Sequence, residues 1–425
     1  MTYPPSLADI AAQLQAYDPQ ALPANEVLNF LAHLVTPVQE TEAVDIFNAL
    51  GRVTAQDVIS PLNVPPHDNS AMDGFAFDGA QLSESQALTL KVIGTALAGK
   101  AWQGTVQAGE CVKIMTGAIM PQGMNTVVPQ ELCKTRASDA IEIPAGLLKS
   151  GDNRRLSGED IMQGQPALLK GATITPAAAG LLASLGVPHV SVVRRLKVAY
   201  FSTGDEILSL GEAPREGAVY DSNRYTVHGM LQALGCEMID MGVVKDDPSL
   251  LEQAFNKAAE QADAIITSGG VSVGEADFTK AMMKKLGDVV FWKIAMRPGR
   301  PMAVGRIQKG ERSAVLFGLP GNPVAVMVTF LAFVKPALQK MMGCTSNPLP
   351  MIRAKTQEVL RKKPGRTEYQ RGIVSRNEHG ELQVITTGNQ GSGVLSSMVQ
   401  ANGLIVLSHQ QGTAQVGDWV DVLVL

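Results

Sequence analysis

At 425 residues the chain is longer than one ordinary domain, and its 45 % hydrophobic content is enough to bury several cores. A formal net charge of −4 excludes a global basic field, so neither nucleic acid nor an anionic membrane surface is an expected partner. Four cysteines without CxxC spacing and six histidines without an HxH or HExxH pattern argue against a disulfide frame and a zinc site. They fit reduced thiols in the cytoplasm. The N-terminus lacks the basic, apolar and small-residue regions of a signal sequence. The longest apolar run, Val324–Val334, suits a buried helix and is too short for a bilayer span.

In chain order, residues 1–40 carry two helical patterns separated by Asp18–Pro23. Leu28, Leu31 and Val35 recur at helical spacing in the second, which predicts its buried face. Ala43–Ala55 reads as a helix or a strand–turn piece. From residue 60 to 160 the texture is β, with alternating runs such as Leu88–Ile93 and Cys111–Met115 between Gly, Pro and Asn clusters. That pattern predicts a barrel or sandwich. Three polar loops interrupt it: Val64–Phe75, the Met115–Ala118 junction with a hydroxyl at its tip, and Gly151–Asp160 with Arg154 and Arg155 side by side. Each reads either as a solvated turn or as a functional loop. Residues 161–195 form a connector, with a helix over Ala177–Gly186 stopped by Pro188.

From Leu196 onward strands alternate with helices. Strands are predicted at Lys197–Phe201, Cys236–Val243, Ala262–Thr267, Val289–Ile294 and Ala314–Phe317, and helices at Tyr220–Leu234, Ser249–Glu260 and Val324–Gln339. Asp221-Ser222-Asn223 is N-cap chemistry for the first of these helices. The alternation implies right-handed crossovers and a largely parallel sheet. In such a sheet the loops after the strands share one edge, where ligands bind. STGDE, KDDP, SGGVSVGEAD, MRPGRP and GLPGNP would then line one crevice. The tail, 346–425, returns to β and predicts a small barrel. It carries Arg366, Arg371 and the GNQGSG stretch that contains Ser392.

The crevice chemistry centres on Ser268-Gly269-Gly270, followed by Ser272, Glu275 and Asp277. Glycines where a strand passes into a helix let backbone N–H groups approach an anion. The acids beside them suit a divalent cation bridging to phosphate, or acid–base work. A Gly-rich turn whose acids merely cap a helix is the alternative. Lys293, Arg297 and Arg300 add cations; Glu206, Asp246, Glu275 and Asp277 add acids. No Walker A motif, Rossmann fingerprint or Ser/His/Asp order is present. The residues alone reach phosphoryl or nucleotidyl chemistry with a divalent metal.

PPHDNSAMDGFA, IMTGA, RRLSGEDI, FSTGDE, YDSNRYTV, KDDP, TSGGVSVGEADF, RPGRP, LPGNPVA and PGRTEYQRG occur in this order. Together they closely resemble the molybdopterin molybdenumtransferases, the molybdenum insertases that include bacterial MoeA and the gephyrin E domain. The resemblance runs from about residue 25 to 425; residues 1–24 lie outside it. It implies an elongated, four-part α/β multidomain subunit that forms a homodimer. The implied parts are a connecting subdomain (41–59 and 160–194), a β-barrel-like insertion (60–159), a molybdopterin-binding α/β domain (25–40 and 195–345) and a C-terminal β-barrel (346–425). The implied reaction inserts molybdenum from molybdate into adenylylated molybdopterin, with release of AMP and help from Mg²⁺. Candidate protein partners are a molybdopterin adenylyltransferase and proteins that deliver cofactor to molybdoenzymes.

Position by position, the resemblance implies catalytic roles for Asp73, Thr116, Asp160, Glu206, Asp246 and Asp277, with Glu206 and Asp277 linked to the metal. Ser268, Gly269, Gly270, Ser272, Lys293, Arg297, Arg300, Pro320 and Pro323 match substrate-cleft positions. Arg371 and Ser392 match positions associated with molybdate. Many members carry KPGKP where this chain has Arg297-Pro298-Gly299-Arg300-Pro301. Charge is kept, but the planar fork of Arg changes the geometry of oxyanion contact. Two other readings stay open: a molybdopterin adenylyltransferase, which shares the SGG loop but consists largely of the α/β domain, and a scaffold with a degraded site.

Overall fold

The computed structural model describes residues 5–14, 17–137, 139–271, 278–345 and 350–425. Its centre is a six-stranded sheet. The strand order is Glu237–Val244, Lys197–Thr203, Ala264–Ser268, Arg312–Leu319, Pro301–Lys309, Gly287–Lys293. The first four strands are parallel, with Val198 opposite Ala264 and Ala264 opposite Val315. The last two are joined by antiparallel pairing. The sheet is therefore largely parallel, as the alternation predicts, with one antiparallel strand within it. Pro301–Lys309, which the reading of MRPGRP as a loop leaves unassigned, is the reversing strand. Because it reverses the direction twice over, Gly287–Lys293 again points the same way as the parallel strands, and its following loop reaches their C-terminal edge.

Alternation along the Lys197–Thr203 strand sends Val198 and Tyr200 into one core and Ala199 and Phe201 into another. Helices cover both faces, as an apolar two-sided sheet requires. On one side Pro248–Gln261 packs Phe255 edge-on against Phe201, with ring centroids 5.1 Å apart. On the other side a continuous helical stretch runs from Pro323 to Met341, with a π-type turn at Phe330–Val334. It is long and apolar enough to cross a membrane, yet 67 % of its most apolar window is buried inside the protein.

The N-terminal residues belong to this second core. Ala24–Leu34 is a helix that buries Val27, Phe30, Leu31 and Leu34. Of the predicted face, Leu31 and Val35 are buried and Leu28 is exposed. The reason is Phe30, which meets Trp292 edge-on at 4.9 Å and takes the inward position. Trp292 Nε1 also donates to the Tyr17 hydroxyl at 3.1 Å, and Leu7 and Ile10 are buried in the same core. Residues ahead of position 25 thus help to close the α/β unit.

The β texture after residue 60 forms a second six-stranded sheet, ordered Thr126–Pro129, Gly74–Phe77, Glu110–Ile114, Leu88–Ala96, Ala140–Ile143, Lys134–Ala137. Between it and the α/β unit lie the paired strands Thr41–Asp45 and His189–Val193 and the helix Pro176–Ser184. The Ala43–Ala55 stretch resolves into the end of that strand and a 3₁₀ turn at Ile46–Asn48. At the C-terminus five strands close into a barrel, because Thr367–Arg376 pairs with both Leu382–Thr386 and Gly403–Leu407. A two-residue strand, Met296–Arg297, pairs with Thr367 and Glu368 of the barrel. That pairing brings the RPGRP loop against the barrel.

Candidate active site

All five predicted loops meet in one cleft of about 1070 Å³ at the C-terminal edge of the α/β sheet. Glu206 comes from STGDE, Asp246 from KDDP and Ser268, Gly269 and Gly270 from the SGG turn. Arg297 and Arg300 come from RPGRP, and Pro320 and Pro323 from GLPGNP. The barrel contributes Arg366 and the 390–393 loop, which includes Ser392. Ser392 is tied in place by the Asn322 amide, which donates to its hydroxyl at 3.0 Å, and by the Val324 N–H, which donates to its carbonyl at 3.1 Å. The cleft is therefore a joint between two units, with the acids on sheet loops and cations on both.

The turn at the strand end needs glycine twice. Gly269 and Gly270 have φ of +88° and +65°, which L side chains rarely adopt. A Cβ at Gly269 would sit 2.6 Å from the Thr203 carbonyl oxygen, and one at Gly270 would sit 2.6 Å from Thr279. The Gly269 N–H donates to the Leu319 carbonyl at 3.2 Å. This amide therefore holds two loops together and is not free to cradle an anion, as the sequence pattern suggests for it. Below the turn, Ser268 is held by a buried hydroxyl chain: Tyr200 Oη lies 2.7 Å from Ser268 Oγ and 2.9 Å from Ser202 Oγ. Burial pushes the Tyr200 phenol well above its ordinary range, so it stays neutral and able to donate.

Some predicted residues stand apart from the cleft. Lys293 ends its strand opposite Pro301 and is not among the lining residues. Ser272, Glu275 and Asp277 lie outside the described residues. Arg371 is fully buried and lines a neighbouring cavity of about 240 Å³, together with Arg297, Arg361, Glu358, Glu368 and Gln390. Its guanidinium donates to Ser397 Oγ at 3.0 Å and to the carbonyls of Gly391 at 3.0 Å and Asn389 at 3.3 Å. It thereby shapes the loop that presents Ser392. Burial, and then the nearby Arg297, disfavour its charge. The cavity is of mixed charge, with Glu358 and Glu368 facing Arg297, Arg361 and Arg371.

Asp73 and Thr116 sit on loops next to the Gly74–Phe77 and Glu110–Ile114 strands of the second sheet. Asp160 sits outside that sheet, where its N–H donates to the Val64 carbonyl, and none of the three lines the cleft of its own chain. Asp73 Oδ1 accepts from the Thr116 N–H at 2.7 Å and from its hydroxyl at 2.8 Å. These bonds hold the exposed carboxyl below the ordinary carboxylate range, the backbone N–H contributing most. Asp73 therefore stays ionised at pH values where a free carboxyl has begun to protonate. Thr116→Val removes one of the two donors and raises the carboxyl toward its ordinary value. The acid limb of an activity profile that depends on ionised Asp73 should then move to higher pH. An unmoved limb would show that the Asp73 charge does not govern it.

Two cleft residues carry more than the sequence signal assigns them. Asp221 and Asn223 read as helix-capping residues, and Asp221 Oδ1 does accept from the Arg224 N–H at 3.1 Å. Both also line the cleft. The usable signal was their place at a helix entry on the ligand-bearing edge of the sheet.

Comparison with known proteins accounts for this arrangement. Residues 22–186 match the family described as MoeA N-terminal region (domain I and II), 199–340 the probable molybdopterin binding domain, and 353–425 the MoeA C-terminal region (domain IV). A curated relative from Haemophilus influenzae, named molybdopterin molybdenumtransferase, is 43 % identical over 92 % of this chain and 95 % of its own length. A namesake from Bacillus subtilis is 32 % identical over 95 % of this chain and 94 % of its own. Among solved structures, the molybdopterin biosynthesis moeA protein of Pyrococcus horikoshii superposes with a TM-score of 0.81 at 28 % identity, covering 96 % of this chain and 100 % of that one. Similarity that spans nearly the whole of both chains shows that this chain belongs to the molybdopterin molybdenumtransferase (MoeA) family.

Proposed function

We propose that the protein inserts molybdenum into adenylylated molybdopterin, taking it from molybdate and releasing AMP. The observation that carries the reading is the cleft itself, with Glu206 and Asp246 on sheet loops and Arg297, Arg300 and Arg366 beside them in a chain of this family. The arginines would offset the charge of the phosphoanhydride and of the AMP that leaves. Molybdate is a tetrahedral dianion, and the cavity next to the cleft would offer it the charge of Arg297 and Arg371, although Nε and Nη2 of Arg371 are already bonded within the protein. Its place beside the Ser392 loop brings the two anions within one site.

The donor set of the cleft fits a hard cation held partly by ligand phosphates. Mg²⁺ commonly uses only one or two carboxylates of its own. Glu206 would hold it, with Asp277 as the implied second carboxylate. When bound, it would neutralise charge that develops on the phosphoanhydride. We further place Asp73 and Thr116 of one subunit of a homodimer at the cleft of the other. Their separation from the cleft of their own chain, and their exposed, charge-holding pair, support that assignment.

Purified protein given adenylylated molybdopterin should release AMP only when molybdate is added. AMP release that ignores molybdate would sink the insertase reading, and synthesis of adenylylated molybdopterin from ATP would favour an adenylyltransferase. Arg371→Ala should raise the molybdate concentration for half-maximal turnover roughly ten- to a hundredfold, the worth of a charge-assisted hydrogen bond. Binding of the nucleotide-bearing ligand should weaken less than the molybdate response, since Arg371 reaches the cleft only through the loop it braces. Arg371→Lys is the companion variant, since it keeps the charge and loses the fork. A weakened pterin ligand with an unchanged molybdate response would reverse the assignment.

A further inference from the structure

At the entry to the Ser222–Ala233 helix, two residues that line the cleft keep buried oxygens without partners. Asp221 is 3 % exposed and Asn223 8 %. Capping uses only Oδ1 of Asp221; Oδ2 has no partner among the described residues. Asn223 Nδ2 donates to the Gly321 carbonyl at 2.7 Å, which fixes the orientation of the amide and leaves Oδ1 without a donor. Folded proteins seldom leave buried acceptors unfilled, and beside a cleft a ligand or an ordered water is a source of the missing donors.

We infer that Asp221 Oδ2 and Asn223 Oδ1 accept the two hydroxyls of a ribose, so that the nucleotide end of the ligand seats on the start of this helix. The inference rests on the adenylylated ligand proposed above. Three alternatives fit the oxygens less well. A cation is better served by the exposed carboxylate of Glu206 in the same cleft than by the one unpartnered oxygen of Asp221. A pterin ring offers an amino group and a ring N–H side by side, which a carboxylate meets with both oxygens; Asp221 Oδ1 is already committed to Arg224. Helix capping alone leaves both orphans unexplained. Vicinal hydroxyls each donate once, to two acceptors on separate side chains, and the cleft of about 1070 Å³ has room for a nucleotide and a second group.

The test is a pair of calorimetric titrations of the full-length protein, with AMP and with 2′,3′-dideoxy-AMP. Wild type should bind AMP more tightly, by roughly ten- to a hundredfold, as expected for hydrogen bonds to a charged acceptor. Asp221→Ser keeps a capping oxygen and removes the second one. It should pull AMP affinity down to that of the dideoxy compound and leave the dideoxy affinity where it was. A purely structural role would weaken both ligands together. Asn223→Ala serves as the second variant, read by the same ratio. If wild type binds AMP with a ratio near one, this inference is wrong and the nucleotide reading stands. If wild type binds neither compound, the nucleotide reading fails and takes the inference with it. If Asp221→Ser abolishes a Mg²⁺ requirement for AMP binding and leaves the ratio alone, the oxygens serve a cation instead.

Discussion

Glu206→Gln should cut molybdate-dependent AMP release by about 10²–10³ while the protein folds and binds as before. Glu206 is exposed at the cleft, so replacing its carboxylate with an amide of the same size disturbs no core. On the proposed mechanism, what is lost is charge placed where the phosphoanhydride is broken. A hard cation holds carboxylate oxygen more tightly than amide oxygen, so excess Mg²⁺ should restore part of the rate. The measurement is single-turnover AMP release across a Mg²⁺ series, with the unfolding midpoint as a control on the fold. Wild-type rates at every Mg²⁺ concentration would remove Glu206 from the mechanism. A low rate that Mg²⁺ does not touch would leave the residue in the mechanism without the metal.

Much of this site was legible before any coordinates, because loops after successive strands of an α/β sheet must share an edge. That rule needs only strand order and polarity, and both show in the alternation of apolar runs with helices. It survived even though Pro301–Lys309 went unassigned. MRPGRP reads as a turn, and the strand after it has Gly305 at its centre, which weakens the pattern. A Cβ at Gly305 would meet the Asp288 carbonyl at 2.2 Å, so the glycine is there for close strand pairing. The Ala24–Leu34 helix shows the opposite limit. Stripes through Leu28 and through Val27 both have helical spacing, and only the packing of Phe30 on Trp292 chooses between them. Hydrogen-bond use is the least legible level. Nothing in SGG says that the Gly269 amide is committed to Leu319, and nothing in PGRTEYQRG says that Arg371 is wholly buried beneath the loop it supports.

The spacing of motifs along the chain also leaves open whether a second copy of the protein completes the site, as proposed above. Asp73→Ala and Glu206→Gln homodimers should each be nearly inactive, yet a mixture of the two should regain activity. In the mixed dimer, the Asp73→Ala chain supplies an intact cleft and its partner supplies an intact Asp73, so one of the two sites is whole. Random exchange makes about half the dimers mixed, so about a quarter of all sites should recover. A site built within one chain predicts no recovery, because every cleft then carries one defect or the other. The arrangement in the monomer is what makes the experiment sharp. Asp73 and Thr116 hold each other through two short hydrogen bonds on an exposed loop, away from the cleft of their own chain. Subunit exchange is verified by differently tagged chains, and turnover is then read as AMP released per dimer. Proven exchange with no regained turnover would show that the two modules do not act across subunits, and Asp73 would then need a role within its own chain.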